Sequence, residues 1–287
     1  MSDSVYELTA LQLALEATLL GTPVPTSTYN WAGRGTLKIE ESITLPKYMT
    51  GEPGMVTVED AYPAATGSLL TLTDTPLSPS IMAWLGVMGI KAVTLTPSVT
   101  NWPFTFPAAQ TPNTIRSFTW KMATMHQVYT MPNCILTEMN INGDVNANNG
   151  TVMTNAKIAG RKVTAADSLT ASLGVFPGHT ASILNLNNAV VNFSALGTVP
   201  AATLQKGLIS AISLDIKTGM YPGRYADGRT ALDFTQVDGG GLAYDITGKM
   251  RVMFGTGTGT TGATHIANAR AGTGFNALIT LANGTPN

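Results

Sequence analysis

Residues 116–163 read RSFTWKMATMHQVYTMPNCILTEMNINGDVNANNGTVMTNAKIAGRKV, and this stretch decides the fold class. Apolar side chains occupy every second position at Phe118, Trp120 and Met122, and a similar period returns after Cys134 and after Thr151. A period of two is the pattern of a strand that buries one face and exposes the other. We therefore predict an antiparallel meander of three or four strands, whose polar residues are not catalytic.

Turn-forming residues break the stretch at 125–127, at Pro132–Asn133 and at 142–150. Oxygen-bearing side chains occupy alternate positions around the last of these turns, at Asn140, Asn142, Asp144, Asn146 and Asn148. A calcium-binding loop has that spacing, but it also needs several carboxylates, glycine at its sixth position and glutamate at its twelfth. Val145 and Thr151 occupy those positions, so we interpret the run as a polar turn between two strands.

The chain is poor in charge for its size. Its 287 residues suit one large or two small domains. Only 11% of them are Asp, Glu, Lys or Arg, where about 25% is usual. Two explanations stay open: much of the surface is buried between subunits, because interface cores are depleted in charge, or the chain is a β-protein rich in Thr and Asn.

Charge and hydropathy exclude some partners. With 16 basic and 17 acidic residues the net charge is −1, so we expect no tight non-specific binding of nucleic acid. The opening residues MSDSVYEL contain no Lys or Arg and do not have the form of a secretory signal. The longest nearly uncharged apolar run, Ile81–Ile90, is too short to span a bilayer, so we expect no membrane partner.

Cysteine and histidine do not indicate a reactive centre. Cys134 is the only cysteine, and its apolar position on a strand predicts a buried structural thiol. The three histidines, His126, His179 and His265, have no second ligand at metal-binding spacing, and no HExxH motif occurs. We expect them in loops or turns, and we predict no metal, no cofactor and no enzymatic activity.

Glycine-rich and acidic segments do not form a recognisable site either. Gly255–Gly262 (GTGTGTTG) has no following Lys-Ser/Thr, and like 238–241 it is predicted to be a flexible loop. The carboxylate pairs Glu40–Glu41 and Glu59–Asp60 lie on a predicted strand and at the end of another. Adjacent residues of a strand point to opposite faces, so neither pair by itself converges as acid–base catalysis requires.

The segments before the meander predict an arm, three strands and a helix. Residues 5–20 fit either a helical face or a strand edge, and both possibilities stay open. Two prolines make 21–28 extended, as in an arm that does not pack on the core. We predict strands at 33–45, 55–59 and 68–73, and then a short helix capped by Ser78 that buries Ile81, Leu85 and Met88 on one side.

The segments after the meander predict strands at 185–193, 208–216, 242–253 and 276–282, and a second short helix at 262–270. Cys134–Ile141 and Leu208–Asp215 share an apolar, polar, apolar rhythm. In one interpretation the C-terminal half repeats the elements of the N-terminal half, which gives two related β-modules. We divide the chain into an N-terminal arm at 1–32, a β-module at 33–165 and a second β-module at 166–287 that packs on the first.

The order of these features resembles the tail-tube, or major tail, proteins of long-tailed, siphovirus-type bacteriophages. Their N-terminal arm usually contains Ala-Leu-x-x-Glu-x-Thr, then Gly-Thr and a small or proline-rich run. Here Ala14–Thr18 (ALEAT) and Gly21–Pro23 are similar to it. Residues 67–89 resemble their strand, proline turn and short helix, and 129–163 resemble their meander. One departure is Pro132–Asn133, where glycine is more usual.

The resemblance implies a mainly β fold: an antiparallel β-sandwich or half-barrel with one or two short flanking helices and an extended N-terminal arm. It implies that copies of the chain join side by side into rings, of six subunits or of three if each has two modules. The rings stack into a tube of the virion, after synthesis in the host cytoplasm. Other expected partners are the tape-measure, tail-terminator and distal-tail proteins, and DNA that passes through the lumen without specific binding.

We expect the loop at 46–54, with Lys47, Tyr48, Met49 and Glu52, to contact the next ring, together with arm residues 21–30. The alternative function is a β-sandwich binding module that recognises a receptor or glycan at a tail tip or cell surface. That function would favour aromatic clusters on the surface, and aromatic residues make up only 7% of the chain.

Overall fold

The computed structural model describes residues 4–44, 62–95, 104–106, 114–166, 168–174, 183–195, 205–206, 209–223, 233–236, 244–252, 270–271 and 275–283. Strands and one α-helix follow one another along these residues: β1 Ser4–Glu7, β2 Ala10–Leu15, β3 Tyr29–Asn30, β4 Arg34–Thr44, β5 Tyr62–Pro76, α1 Pro79–Gly89, β6 Phe118–Ala123, β7 Val128–Asp144, β8 Met153–Gly160, β9 Thr164–Ala166, β10 Leu184–Ala195, β11 Gln205–Lys206, β12 Ile209–Lys217, β13 Met220–Gly223, β14 Asp233–Gln236, β15 Asp245–Val252 and β16 Phe275–Asn283. Paired strands are antiparallel. The predicted mainly β fold with a flanking helix is therefore confirmed.

Two sheets that share one strand make the body of the fold, and we call them sheet A and sheet B. Sheet A has the order β1-β4-β5-β8-β7-β12-β15, and sheet B has the order β3-β2-β6-β7-β9. The first part of β7, up to Cys134, pairs in sheet B, and the part from Ile135 onward pairs in sheet A. The predicted meander β6-β7-β8 therefore connects the two sheets, as a strand does at the corner of a β-sandwich.

The prediction that Pro132 and Asn133 break the strand is wrong, because β7 continues through them. Asn133 has a φ of 53°, in the left-handed region that asparagine tolerates. The pairing with β6 shifts its register beside this residue, between Phe118 and Trp120. Pro132 has no N–H to donate, and a bulge is a place where a strand accepts proline. The two residues bend β7 and pass it from one sheet to the other.

Alternate side chains of both sheets meet in one hydrophobic core. On sheet B, the predicted inward residues Phe118, Trp120 and Met122 are fully buried, which confirms the predicted inner face, although Thr119 on the opposite face is buried as well. Sheet A contributes aliphatic side chains to the same core, among them Leu37, Leu70, Leu72, Leu136 and Ile158. Aromatic rings in edge-to-face geometry pack on the inner side of sheet B and against α1: the ring centroids are 5.4 Å apart in Trp31–Trp120, 5.1 Å in Trp84–Phe118 and 5.7 Å in Tyr29–Trp84.

Helix α1 begins where the sequence predicts. Ser78 is the N-cap, and its side chain accepts a hydrogen bond from the Ile81 N–H at 3.2 Å. Ile81, Leu85 and Met88 are buried as predicted, but the burial is not one-sided, because nearly the whole of α1 is buried, including its glycines. A Cβ on Gly89 would lie 2.9 Å from the Leu136 Cβ. Glycine therefore lets the helix approach β7 closely, and the helix is enclosed and not laid on the surface.

Replacing Ser78 with alanine is expected to lower the free energy of unfolding by about 1 kcal/mol, because the first turn of α1 loses its side-chain acceptor. Ser168→Ala, at an exposed position, is the matched control, with an expected change within about 0.5 kcal/mol. Urea titration followed by circular dichroism measures both. Equal midpoints for the two variants would show that the cap does not stabilise the helix.

The N-terminal residues pack on the sandwich. Residues 5–20, which fit both helix and strand, contribute β1 and β2, and β2 pairs with β6 inside sheet B. We call residues 17–28 the strap. It lies outside helices and strands, as its prolines predict. The prediction that it does not pack is wrong, because the Val24 N–H donates to Thr119 Oγ1 at 3.0 Å and Ser27 is buried.

The C-terminal strands divide between sheet A and smaller sheets. Four of them confirm the strands predicted in their ranges: β10, β12, β15 and β16. In the N-terminal part, β4 and β5 do the same. β10, β11 and β16 form a separate sheet, β13 pairs with β14, and β12 and β15 extend sheet A. The two segments with a shared rhythm lie side by side, since Ile141 pairs with Leu214. The predicted strand at 55–59 and nearly all of the predicted helix at 262–270 lie outside the described residues. The division into modules stays a prediction.

Candidate functional site

Sheet A presents a polar face on the side away from the core. Because alternate residues of a strand share a face, the strand register places polar side chains in rows across the sheet. One row contains Asp245, Lys217, Glu138, Lys157 and Thr71, from β15 to β5. The next row contains Thr247, Asp215, Asn140 and Asn155. The face therefore spans most of the width of sheet A.

The side chains of this face bind one another. Lys157 Nζ lies 2.7 Å from Glu138 Oε2, and Lys217 Nζ lies 3.8 Å from Asp245 Oδ2. Asn140 donates its side-chain amide to Asp215. The four ion-pairing side chains are between 42% and 68% exposed. Such exposed pairs contribute at most about 1 kcal/mol each, so this face adds little to the stability of the fold.

A shallow depression of about 170 Å³ lies on this face, among Glu138, Asn140, Lys157, Asp215 and Lys217. Pockets that enclose a small molecule usually have volumes of about 300–1,000 Å³. The depression is smaller than that, and buried Met139 and Ile216 also line it. The geometry is that of an open depression and not of an enclosed ligand site.

Strand β15 ends the polar face and is the outermost strand of sheet A on this side in the described part of the chain. Its residues from Asp245 to Lys249 are exposed, including Ile246 and Gly248 at the core-side positions. Ile246, on that core side, is 42% exposed. An edge strand offers backbone N–H and C=O groups to a further strand. β15 is therefore a place where sheet A can be extended.

The chain itself covers an edge of sheet B. The outermost strand there is β3, and the Asn30 N–H donates to the Gly174 carbonyl at 2.9 Å. In the neighbouring strand, Gln12 donates to the Thr170 carbonyl at 2.8 Å and accepts from the Thr170 N–H at 2.9 Å. These bonds hold the segment around Thr170 across β2 and β3. This edge of sheet B is thereby closed to an added strand, whereas β15 has no strand beyond it in the described part of the chain.

Several residues singled out in the sequence lie outside the described residues: Lys47, Tyr48, Met49, Glu52, His179, His265, the pair Glu59–Asp60 and the glycine-rich segments at 238–241 and 255–262. Glu40 and Glu41 lie on β4, as predicted. His126 is exposed in the connection between β6 and β7. Across the described ranges, no three His, Cys, Asp or Glu side chains gather into a group that could hold a metal ion.

The run from Asn140 to Asn148 divides between a strand and a turn. Asn140 and Asn142 belong to β7, where Asn142 donates its side-chain amide to Asn140. Asp144 Oδ1 accepts a hydrogen bond from the Asn146 N–H at 2.8 Å, which is the bond of an Asx turn. Asn148 has a positive φ of 50°. The predicted polar turn is confirmed.

Cys134 is fully buried, as predicted, and its Sγ lies 3.0 Å from the Met131 carbonyl oxygen that it donates to. Burial raises the pKa of this thiol well above its usual value, and the negative charge of Glu16 raises it further. The thiolate is the reactive form of cysteine. Cys134 therefore stays protonated at neutral pH and serves as a core side chain.

One buried carboxylate was not predicted from the sequence. Glu16, just after β2, is fully buried, and it accepts hydrogen bonds from Ser117, Thr119 and Asn133. An acidic residue within the apolar segment ALEATLL was a visible signal. Its partners lie 101, 103 and 117 residues further along the chain, so no local pattern connects them with it.

No protein-family model matches this sequence, and no curated protein matches it. Among the helical residues that the structure describes, no segment is both long and apolar enough to cross a membrane.

Proposed function

We propose that this chain is a structural protein whose copies join through sheet A into rings, and that the rings stack into the tail tube of a long-tailed bacteriophage. The observation that carries the proposal is the exposed strand β15 at the end of a wide, polar sheet. The tube is a conduit for the genome and belongs to the virion. The number of subunits per ring is six, or three if each chain contributes two related modules.

Pairing between copies would satisfy the exposed edge of sheet A. Unpaired N–H and C=O groups on an edge strand attract another strand, so a sheet that ends in one is prone to association. We propose that β15 of one copy adds to β1, the described strand at the opposite end of sheet A, in the next copy. A head-to-tail contact of this kind produces a ring when the rotations between successive copies add up to a full turn. The exposed side of Ile246 would be covered at the same joint.

The charge pattern of the polar face suits the wall of a DNA channel. Lys157 and Lys217 each lie beside a carboxylate, of Glu138 and Asp245 respectively. Tight binding of DNA comes from basic side chains that neutralise phosphates and release counterions. A face of mixed charge stays hydrated without holding the duplex. We propose that this face surrounds the lumen and lets DNA pass without specific binding.

Stacking of rings needs a second surface, which we assign to the strap and to Lys47, Tyr48, Met49 and Glu52. The strap contains no charged residue, and its side chains Leu19, Pro23 and Pro25 are exposed. The centres of protein interfaces are depleted in charge. The tape-measure protein inside the tube, and the tail-terminator and distal-tail proteins at its ends, are the further partners that this function requires.

Negative-stain electron microscopy of the purified protein at high concentration tests the proposed function. We expect rings or hollow tubes roughly a hundred ångströms across, on the scale of several domains of this size. Buffer alone and the same protein diluted below its assembly concentration are the controls. Monodisperse monomers at high concentration would contradict the tube, and would favour the alternative of a receptor- or glycan-binding module.

A further inference from the structure

The buried carboxylate of Glu16 is held by neutral groups from two strands. One oxygen accepts from Thr119 Oγ1 at 2.7 Å and from the Asn133 N–H at 2.9 Å. The other accepts from Ser117 Oγ and from the Asn133 side-chain amide, the latter at 2.9 Å. Burying a carboxylate is costly unless its oxygens are hydrogen-bonded, and four donors match the four acceptor positions that it has. Glu16 therefore ties the end of β2 to β6 and to the bend of β7.

The three residues that hold the carboxylate also bind the backbone of the strap. Ser117 Oγ accepts from the Leu20 N–H at 2.8 Å, Thr119 Oγ1 accepts from the Val24 N–H at 3.0 Å, and the Asn133 amide donates to the Gly21 carbonyl at 2.8 Å. A hydroxyl group has one proton and two lone pairs. When that proton points to Glu16, a lone pair is free to face the strap. Glu16 thus sets the orientation of the groups that bind the strap.

The strap has few other contacts before Ser27, whereas its end is held separately: the Ser27 N–H donates to Thr170 Oγ1 at 3.2 Å, and the Thr28 N–H donates to the Leu13 carbonyl at 2.9 Å. Most of its side chains are exposed, and Leu20 is only partly buried, beside the small cluster of Ile115, Ile135 and Ala159. Leu20 also has a φ of 53°, which is unfavourable for a residue other than glycine. Segments with few buried apolar contacts open with less free energy than the core does. The strap can therefore open separately from the sandwich.

We propose that Glu16 is a positioning residue that works as a latch: its carboxylate keeps the strap closed on sheet B, and breaking the latch frees the strap while the sandwich stays folded. The freed strap is the extended arm that its two prolines favour. The latch operates within one copy of the chain. The role proposed for Glu16 therefore does not depend on whether the chain forms a tube.

Hydrogen–deuterium exchange on the Glu16→Gln variant tests the latch. Glutamine keeps the shape of the side chain but turns an NH₂ group toward two donors, either Ser117 Oγ and the Asn133 side-chain amide or Thr119 Oγ1 and the Asn133 N–H. We expect the amides of Leu20 and Val24 to exchange at least about tenfold faster than in the unsubstituted chain, because their acceptors are no longer held in place. The amides of β4, β5 and β8 should keep their rates. Unchanged exchange at Leu20 and Val24, or equal acceleration in the core strands, would contradict the latch.

Thr119→Val provides the test if the Glu16 variant does not fold. Valine has nearly the same shape as threonine but neither donates to Glu16 nor accepts from Val24. We expect faster exchange at Val24, with the rates of β4, β5 and β8 unchanged. Thr130→Val is the matched control, because Thr130 lies on β7 and pairs with Lys121, away from the strap. An unchanged Val24 rate in the Thr119 variant, or the same acceleration in the control, would overturn the proposal.

Discussion

Replacing Trp120 with alanine is expected to lower the free energy of unfolding by about 3–5 kcal/mol, the usual cost of truncating a buried aromatic side chain. Trp120 is fully buried in sheet B, and its ring meets that of Trp31 edge-to-face at 5.4 Å. Both layers of the sandwich and α1 contribute to this core. Closely packed interiors collapse only partly around a new cavity, so most of the loss should appear in a denaturant titration.

Two further variants show whether the loss comes from packing. The indole N–H of Trp120 is buried with no hydrogen-bond partner among the described residues. Trp120→Phe therefore removes volume but no bond, and about 1–2 kcal/mol is expected. Met125→Ala, in the connection after β6, is the surface control, since Met125 is 85% exposed and a change within about 0.5 kcal/mol is expected. If Trp120→Ala and Met125→Ala unfold at the same denaturant concentration, Trp120 is not part of the core.

Proline in β15 is expected to prevent assembly without unfolding the chain. Successive residues of an antiparallel strand direct their N–H groups alternately to one neighbour and to the other. Of Thr247 and Gly248, one therefore faces β12 and the other faces the open edge. Proline at the open-edge position removes a donor and obstructs an added strand. We expect the concentration needed for assembly to rise more than about tenfold, which corresponds to about 1.4 kcal/mol at each joint.

Sedimentation velocity and thermal unfolding of Thr247→Pro and Gly248→Pro together measure this effect. The variant whose substituted N–H faced the open edge should keep its melting temperature and lose assembly. The other variant should have a lower melting temperature, because it loses a hydrogen bond to β12. Thr247→Ala and Gly248→Ala keep both N–H groups and serve as matched controls. If both proline variants assemble at the same concentration as their alanine controls, β15 is not the joint between copies.

Local patterns in the sequence were enough to place single elements. The alternation of Phe118, Trp120 and Met122 predicts the buried face of β6, because the period of a strand depends only on neighbouring positions. Ser78 and Pro79 predict the start of α1 for the same reason. The burial of Cys134 follows from its apolar surroundings in the chain. Each of these predictions uses residues only a few positions apart.

Contacts between distant residues could not be predicted in this way. Pro132 and Asn133 have the composition of a turn, but the strand continues through them as a bulge, and the Asn133 N–H donates to Glu16, 117 residues away. The strap is held by the side chains that also bind Glu16. Its prolines predict an extended segment, but they contain no information about Ser117 or Thr119, which hold it.

The candidate surface was only partly visible in the sequence. Polar side chains at alternate positions of β7, such as Glu138 and Asn140, predict one polar face. The sequence does not say that β12 and β15 continue this face with Lys217 and Asp245, because strand order depends on the whole fold. The exposure of β15 likewise depends on where the rest of the chain packs.

The claim that copies join through the edge of sheet A is tested most directly by hydrogen–deuterium exchange on the same protein in assembled and in dispersed form. We predict that the amides of β15 and β1 exchange at least about tenfold more slowly after assembly, because each strand gains a partner. The amides of β5 and β8, already paired within sheet A, should keep their rates and serve as the internal reference. Assemblies in which β15 and β1 exchange as fast as in the dispersed protein would contradict this joint.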